Sequence, residues 1–271
     1  MRARRRFGQH FLDPSWSSRV IEAAAFAPAD QVIEIGPGRG ALTFRLAGAV
    51  AALTAVELDR DLVPFLRERL PAHARVLQGD FLEVPADTLF EGSLSEPWRV
   101  IGNLPYNVSS PILFRLLELA RSSGRLRDAT LMLQREVAER VASPPGTKAY
   151  GALSILVQLD ADVEPLLTLP PGAFRPAPQV WSAVVRLHFR PPAVRVGDRR
   201  QFESLVRSLF MQRRKMLANA LQPAASSRGA RASDVLGKAG IDASRRPETL
   251  HLDELARLAD VLDAGNEAGV V

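Results

Sequence analysis

The alternation of two residue patterns constrains this chain more than any other feature. Between about Asp13 and Phe189, short apolar runs rich in β-branched residues alternate with segments of helical periodicity. Such alternation predicts a parallel sheet whose crossover connections are helices. The first helix is well marked, because Asp13 is a preferred N-cap and Pro14 suits the first helical turn. We therefore expect an α/β fold.

The later strands are predicted to break the parallel pattern. The last two are separated only by the loop Pro170–Pro178, with no helix between them, so they should form an antiparallel hairpin at one sheet edge. Helices are expected after Ser109 and from Arg135 to about Val141. The predicted strands are Gln31–Ile35, Leu53–Glu57, Arg75–Leu77, Arg99–Ile101, Ala129–Leu133, Val163–Leu169 and Ala183–Phe189.

Composition shifts after Arg190-Pro191-Pro192, which resembles a linker. Beyond it no convincing strand pattern occurs, whereas Gln201–Leu221 and Leu250–Leu262 have helical spacing. We expect a domain of residues 1–192 followed by a small all-helical domain of residues 193–271.

Bulk composition excludes several protein classes. The 271 residues are 46% hydrophobic and 24% charged, as in soluble globular proteins, and no run is long enough for a membrane span. The absence of cysteine excludes disulfides and thiolate metal sites, and we expect no metal. It also fits the reducing cytoplasm, where we expect the protein to act. The net charge of +5 favours a polyanionic partner.

A glycine-rich turn follows the first predicted sheet strand. Gly36 and Gly38 let a ligand approach the backbone, and Glu57, at the end of the next strand, could accept hydrogen bonds from ribose hydroxyls. The same spacing also satisfies the relaxed fingerprint of nicotinamide dinucleotide sites. Asp80 and Phe81 follow the third strand and favour a methyltransferase, in which they would bind the cofactor adenine by hydrogen bonding and packing.

The segment Ile101–Asn107 carries the most specific chemistry. Adenine N6 is a poor nucleophile because its lone pair is delocalised into the ring. The Asn103 side-chain oxygen and the Leu104 carbonyl could accept the two N6 hydrogens, and these bonds strengthen as positive charge develops on N6. Pro105 restricts the turn. Tyr106 offers a flat surface on which an extruded adenine can stack.

With these motifs the chain resembles the small-subunit (16S) ribosomal RNA adenine N6,N6-dimethyltransferases. The resemblance runs from Arg5 to about Leu221. It implies a Rossmann-like class I methyltransferase sheet of seven strands, the last antiparallel, with S-adenosylmethionine as cofactor. The matching segments are Arg6–Leu12, the glycine motif, Val56–Asp59, Asn103–Asn107, Leu133–Ala138, Tyr150–Ser154, Phe174–Pro178 and Gln212–Lys215.

The resemblance also implies roles for single residues. His10 stands where many relatives have asparagine, which favours a backbone contact there. Phe174 is expected to form the second wall of the adenine pocket, opposite Tyr106. The implied cofactor contacts are His10, Leu12, Gly36, Gly38, Glu57, Leu58, Asp80, Phe81 and Asn103.

Two basic clusters, Arg4–Arg6 and Arg213–Lys215, are the predicted RNA phosphate contacts. Their individual residues are Arg4, Arg5, Arg6, Arg213, Arg214 and Lys215. The implied reaction is four methyl transfers onto two adjacent adenines in a hairpin near the 3′ end of 16S rRNA. The implied partner is that RNA within an immature small ribosomal subunit, bound by a monomer.

Three alternatives stay open at this point. A 23S rRNA adenine methyltransferase would share the cofactor and the Asn-x-Pro-Tyr chemistry. A nicotinamide oxidoreductase could use the same glycine turn, although the four histidines show no hydride-transfer setting. A noncatalytic ribosome-assembly factor could retain the fold, although the intact segment Asn103–Tyr106 argues against lost activity.

Overall fold

The computed structural model describes residues 10–92 and 96–267. The strands are β1 (Phe11–Leu12), β2 (Gln31–Ile35), β3 (Ala52–Glu57), β4 (Ala74–Gln78), β5 (Trp98–Asn103), β6 (Leu126–Gln134), β7 (Ala161–Leu169), β8 (Phe174–Arg175) and β9 (Ser182–Phe189). The helices are α1 (Pro14–Ala24), α2 (Thr43–Leu46), α3 (Val63–Arg67), α4 (Ala86–Leu89), α5 (Ser109–Ser123), α6 (Arg135–Ala142), α7 (Ala152–Asp160), α8 (Arg199–Met211), α9 (Leu217–Ala220), α10 (Gln222–Ser226), α11 (Ala232–Ala239) and α12 (Leu252–Glu267).

The chain divides into two compact units, and the division is not a single cut between residues 192 and 193. The first unit contains the chain up to Ala138 together with Ala161–Pro191. The second contains Glu139–Asp160 and the chain from Pro192 onward. The segment Glu139–Asp160 belongs to the second unit because α7 packs against α8 and because the Tyr150 hydroxyl donates to the Leu250 carbonyl at 3.0 Å. Sequence composition alone did not indicate that Glu139–Asp160 belongs to the second unit.

The first unit is built on a mixed sheet of seven strands in the order β4-β3-β2-β5-β6-β9-β7. The five strands from β4 to β6 are parallel, and β9 pairs antiparallel with both β6 and β7. The predicted antiparallel hairpin at one edge is therefore confirmed, as is the seven-stranded α/β class. Buried apolar residues from the strands and α1 form the core, among them Val20, Val32, Leu53 and Ile101.

The predicted start of α1 is confirmed at the atomic level. Asp13 has an extended backbone, and its side chain accepts a hydrogen bond from the Ser15 N–H at 3.0 Å, which satisfies one of the unpaired donors of the first turn. Pro14 is the first helical residue. Before this helix, β1 pairs antiparallel with β8, so that Leu12 lies opposite Phe174. This two-stranded ribbon was not predicted, because each strand has only two residues.

The second unit is helical, as predicted for the C-terminal region. Asp198 caps α8 by accepting from the Gln201 N–H at 3.1 Å, and α8, α11 and α12 pack together. Their shared core contains Phe202, Leu236 and Leu258, each no more than 1% exposed. Within residues 10–92 and 96–267, no helix is long and apolar enough to cross a membrane.

Candidate active site

The parallel pairing brings the ends of β2, β3 and β5 to one edge of the sheet. Ile35 lies between Val56 and Gly102, so Glu57 and Asn103 end on the two sides of the turn that begins at Gly36. This is the edge at which open α/β sheets bind ligands. A cavity opens here, and its lining includes residues from all three strand ends and from the segment after β4.

The glycine turn has a backbone that other residues would strain. Gly36 and Gly38 have φ values of 68° and 57°, a left-handed conformation that L side chains rarely adopt. A Cβ on Gly38 would also lie 3.2 Å from the Phe11 ring. The turn is tied to the neighbouring strand because the Gly36 N–H donates to the Val56 carbonyl at 3.0 Å.

Glu57 organises this turn while it faces the cavity. One carboxylate oxygen accepts from the Gly38 N–H at 2.9 Å, and the other accepts from the Asp59 N–H at 2.7 Å. Burial raises the pKa of Glu57 above its ordinary value, although these two N–H donors oppose that shift. Each carboxylate oxygen has a second lone-pair direction, so Glu57 keeps acceptor capacity for ligand hydroxyls.

Asn103 has a defined amide orientation. Its Nδ2 donates to the His10 carbonyl oxygen at 2.8 Å, and only the amino end of an amide can make that contact. The Oδ1 atom therefore takes the other position. Among the described residues we find no hydrogen-bond donor to Oδ1 or to the Leu104 carbonyl, and both residues line the cavity.

The Tyr106 ring is held in place from two sides. Its hydroxyl is 2.8 Å from Ser182 Oγ, and its ring stacks on that of His10 with centroids 5.7 Å apart and an interplanar angle of 25°. His10 is itself fixed, since Nδ1 lies 2.7 Å from the Pro176 carbonyl oxygen. Burial raises the pKa of Tyr106, so the hydroxyl stays protonated at neutral pH.

Comparison with known proteins places this chain in a family. The chain matches the family model for ribosomal RNA adenine dimethylase over residues 1–262. It is 45% identical over 267 residues to ribosomal RNA small subunit methyltransferase A of Pseudomonas fluorescens, covering 96% of this chain and 94% of that protein. The corresponding protein of Geobacter metallireducens is 44% identical over 271 residues, with 97% of each chain covered.

The chain belongs to the ribosomal RNA adenine dimethylase family. Solved structures agree with this membership. The 23S rRNA methyltransferase ErmE superimposes with a TM-score of 0.66 at 28% identity, covering 93% of this chain and 99% of that one. A dimethyladenosine transferase from Plasmodium falciparum shares the fold, with a TM-score of 0.77 at 22% identity and coverage of 94% and 98%. The chain is accordingly an enzyme that methylates rRNA adenine.

The structure brings nearly all the predicted cofactor and catalytic residues of this dimethylase together. One carboxylate oxygen of Asp80 accepts a hydrogen bond from the Leu82 N–H at 2.9 Å. Phe81 is 4% exposed, and Leu58 is 52% exposed. The predicted residues that line the cavity are His10, Leu12, Gly36, Gly38, Glu57, Leu58, Asp80, Phe81, Asn103, Leu104, Pro105 and Tyr106.

The structure does not bring Phe174 to this cavity, so its predicted role as the second wall of the adenine pocket stays a prediction. Its side chain is 1% exposed and packs in the core with Leu12, Val20 and Leu169 rather than lining the cavity. Pairing of β8 with β1 turns it inward. The ring stacked on Tyr106 is instead that of His10, which was expected to contact ligand through its backbone.

Glu34 is a cavity residue that the sequence argument missed. It is 2% exposed, its Oε2 atom has no hydrogen-bond partner among the described residues, and burial raises its pKa to about 8. The sequence did carry a signal for this residue, because Glu34 is an acidic residue just before the last residue of a buried strand. Within the run Val32–Ile35, a glutamate is expensive to bury unless a ligand needs it.

The predicted RNA contacts that the structure describes do not line this cavity. Arg4, Arg5 and Arg6 lie outside the described residues. Arg214 and Lys215 are exposed in the second unit, whereas Arg213 is half-buried and its Nε donates to Glu248 Oε2 at 2.6 Å.

Proposed function

We propose that this enzyme dimethylates N6 of two adjacent adenines in a hairpin near the 3′ end of 16S rRNA, within an immature small ribosomal subunit, using S-adenosylmethionine. The small-subunit enzymes at 44–45% identity support the 16S target over the 23S target of ErmE, at 28%. The observation that carries the chemistry is the fixed amide of Asn103, which directs Nδ2 to the His10 carbonyl.

The residues of the cavity fit the proposed cofactor. Glu57 can accept from ribose hydroxyls, and Asp80 can accept from the adenine amino group beside Phe81. The unpartnered oxygen of buried Glu34 suits a positively charged amino group, because such a cation would supply the missing donor and would lower the raised pKa of the carboxyl. The left-handed turn at Gly36 and Gly38 keeps Cβ atoms out of the ligand space.

When bound, S-adenosylmethionine supplies an electrophilic methyl group on a sulfonium. The protein must then hold the target amino group with its lone pair available. Asn103 Oδ1 and the Leu104 carbonyl accept the two N–H groups of N6, and both bonds strengthen as N6 becomes positive. The methylated nitrogen is acidic enough to lose its proton to water, so no charged base is required.

Tyr106 positions the extruded base. His10 covers one face of its ring, so the adenine stacks on the opposite face. The Ser182 contact holds the ring at a fixed angle, and a fixed nucleophile needs less ordering when it reacts. We propose that the enzyme acts as a monomer, and ribosomal RNA as substrate supports a cytoplasmic location.

RNA binding is proposed to use both basic clusters. Deletion of the first six residues, which removes Arg4–Arg6, should weaken rRNA binding and flatten its dependence on salt, because fewer counterions are released. Unchanged affinity and slope would contradict this role.

The target is tested by mapping methylated adenines. The enzyme is incubated with labelled S-adenosylmethionine and either immature small subunits or 23S rRNA, and both RNAs are analysed by primer extension, which N6-dimethylation blocks. We expect stops at two neighbouring adenines near the 3′ end of 16S rRNA. Stops confined to 23S rRNA would assign the activity of a 23S rRNA adenine methyltransferase, and NADH binding without methyl transfer would contradict the proposal.

A further inference from the structure

Trp181 lies at the carboxyl edge of the sheet, close to the proposed base site but outside the cavity of that site. It comes directly before Ser182, the first residue of β9, which lies opposite Gln134 at the end of β6. The Ser182 hydroxyl is the group that lies 2.8 Å from the Tyr106 hydroxyl. Trp181 is therefore one residue away from the contact that holds the ring on which the target adenine is proposed to stack.

The backbone of Trp181 is fixed, although its side chain is not buried. Its carbonyl oxygen accepts from the N–H of Arg135, the first residue of α6, at 2.9 Å. The next residue, Ser182, is 1% exposed. Trp181 is nevertheless 46% exposed, and neighbouring Val180 is 43% exposed. A well-held backbone thus presents an apolar surface to solvent beside the site.

This exposure sets Trp181 apart from the two other tryptophans of the chain. Trp98 is 1% exposed, and the ring of Trp16 is covered by the Arg19 guanidinium, 4.7 Å from its centroid. Within residues 10–92 and 96–267, no aromatic ring stacks on Trp181 and no cation lies over it. Because a tryptophan stabilises a fold most when it is buried, exposed aromatic surface beside a ligand site is typical of a contact for a ligand or partner.

The proposed substrate supplies a group of matching chemistry. Extrusion of an adenine removes its stacking on the bases next to it. The adjacent nucleotide is joined to it by one phosphodiester, so the adjacent base stays near the pocket and has lost one stacking partner. An aromatic side chain can replace that partner whatever the base, because every base has a π face.

We propose that Trp181 stacks on the base adjacent to the extruded adenine, with Val180 extending the apolar surface beside it. The inference rests on the proposed function, because it takes two adjacent adenines as the substrate. While either adenine is methylated, the other is its neighbour, so the same ring positions both in turn. Trp181 is a positioning residue, and a stacking contact releases no counterion, so it should leave the salt dependence of RNA binding unchanged.

Three substitutions separate stacking from simple apolar contact. Trp181→Ala and Trp181→Leu should each raise KM for immature small subunits about tenfold, because one base–aromatic stack is lost. Their kcat should change little, because the contact is made equally in the ground state and the transition state. Trp181→Phe keeps a flat ring and should restore most of the affinity. A leucine variant that performs as well as the phenylalanine variant would overturn the stacking role.

A change in the RNA tests whether the partner is the adjacent base. Immature subunits are prepared with one of the two adenines replaced by uridine, which stacks more weakly, and methylation of the remaining adenine is measured. The unsubstituted enzyme should lose affinity for these subunits, whereas Trp181→Ala should lose little more than it has already lost. Additive losses from the uridine and the alanine would contradict contact between the two groups.

Controls distinguish this contact from damage to the fold or to the cofactor site. The affinity for S-adenosylhomocysteine, measured by calorimetry, and the thermal unfolding temperature should be unchanged in all three Trp181 variants. Trp16→Leu is the matched control on α1 and should leave KM for subunits unchanged.

The two proposals fail in different ways. A KM for Trp181→Ala within about twofold of the unsubstituted enzyme, while both adenines are still dimethylated, would overturn only the role of Trp181. Absence of methyl transfer to both adenines by the unsubstituted enzyme would overturn the proposed function and this inference with it.

Discussion

In the sheet of the first unit, the charged and polar groups at the amino ends of the strands are paired differently from those at the carboxyl ends. Strand β5 contributes residues to both ends. Arg99 near its start is 3% exposed and donates to Asp128 at 2.9 Å and to Asp30 at 2.9 Å. Its remaining donors reach the carbonyls of Ala24 and Ala25, also at 2.9 Å. Asn103, four residues later, has an acceptor with no protein donor among the described residues.

The pKa values follow the same division. Burial alone would raise the pKa of Asp30, but hydrogen bonds from the Ala27 N–H and Arg99 outweigh it, so the pKa is lowered. At the other edge, burial raises the pKa of Glu34 to about 8 and also raises that of Glu57. At the amino ends of the strands, buried polar groups have their hydrogen bonds satisfied and stabilise the fold. At the carboxyl ends, where we propose that the ligands bind, lie acceptors that have no donor among the described residues.

Arg99→Met should produce the largest effect. It would leave Asp30 and Asp128 buried with their main partner removed, so we expect the free energy of unfolding to fall by about 3–5 kcal/mol. Urea denaturation measures this loss. The matched control is Arg127→Met, because Arg127 also contacts Asp30 but its side chain is 45% exposed, and its removal should lower stability by less than about 1 kcal/mol. Equal losses in the free energy of unfolding for the two variants would show that Arg99, Asp30 and Asp128 do not form a buried ion network.

Asn103→Ala should leave stability nearly intact and reduce the methyl-transfer rate about 10²–10³-fold, as expected for loss of one hydrogen-bond acceptor that acts in the transition state. Rates are measured with saturating cofactor on immature small subunits, together with thermal unfolding. Asn219→Ala, an exposed asparagine in the second unit, is the control. A rate within threefold of the unsubstituted enzyme would remove Asn103 from the mechanism.

Glu34→Gln should change how stability depends on pH. Between about pH 4.5 and 8 the folded state binds the Glu34 proton more tightly than the unfolded chain does, so the free energy of unfolding falls as pH rises through that interval. The glutamine variant should show a flatter plot of unfolding free energy against pH. Over this interval, its change in unfolding free energy should differ from that of the unsubstituted protein by on the order of a few kcal/mol at most. Denaturation at several pH values tests this, with exposed Glu22→Gln as the control. Parallel profiles for Glu34→Gln and the unsubstituted protein would contradict the shift.

Tyr106→Phe should have the smallest effect. It removes the contact with Ser182 but keeps the ring on which a base stacks, so we expect less than a tenfold loss of rate, equivalent to about 0.5–1.5 kcal/mol. Ser182→Ala should match it, and Tyr106→Ala should lose more because the stacking surface disappears. A Phe variant as slow as the Ala variant would assign the chemistry to the hydroxyl.

Local patterns predicted the sheet and most of the site. Each predicted strand overlaps an observed one, because hydrophobic runs and glycine turns are local signals. Glu57 and Asn103 could be placed together because parallel strands end at a common edge. Which strand ends are neighbours also depends on the order of the strands in the sheet, and no local pattern indicates that order.

Long-range packing was beyond those patterns. Pairing of β8 with β1 buries Phe174, and no local signal predicts which way a two-residue strand faces. The ion network of Arg99 joins residues about 70 positions apart, so its sequence neighbours do not indicate it.

The most direct test of the account is a crystal structure of the enzyme with S-adenosylhomocysteine and adenosine. We predict that the adenosine amino nitrogen lies within hydrogen-bond distance of Asn103 Oδ1 and the Leu104 carbonyl, with the base on the face of Tyr106 opposite His10. A base bound away from Asn103, or an amide that presents Nδ2 to it, would contradict the account.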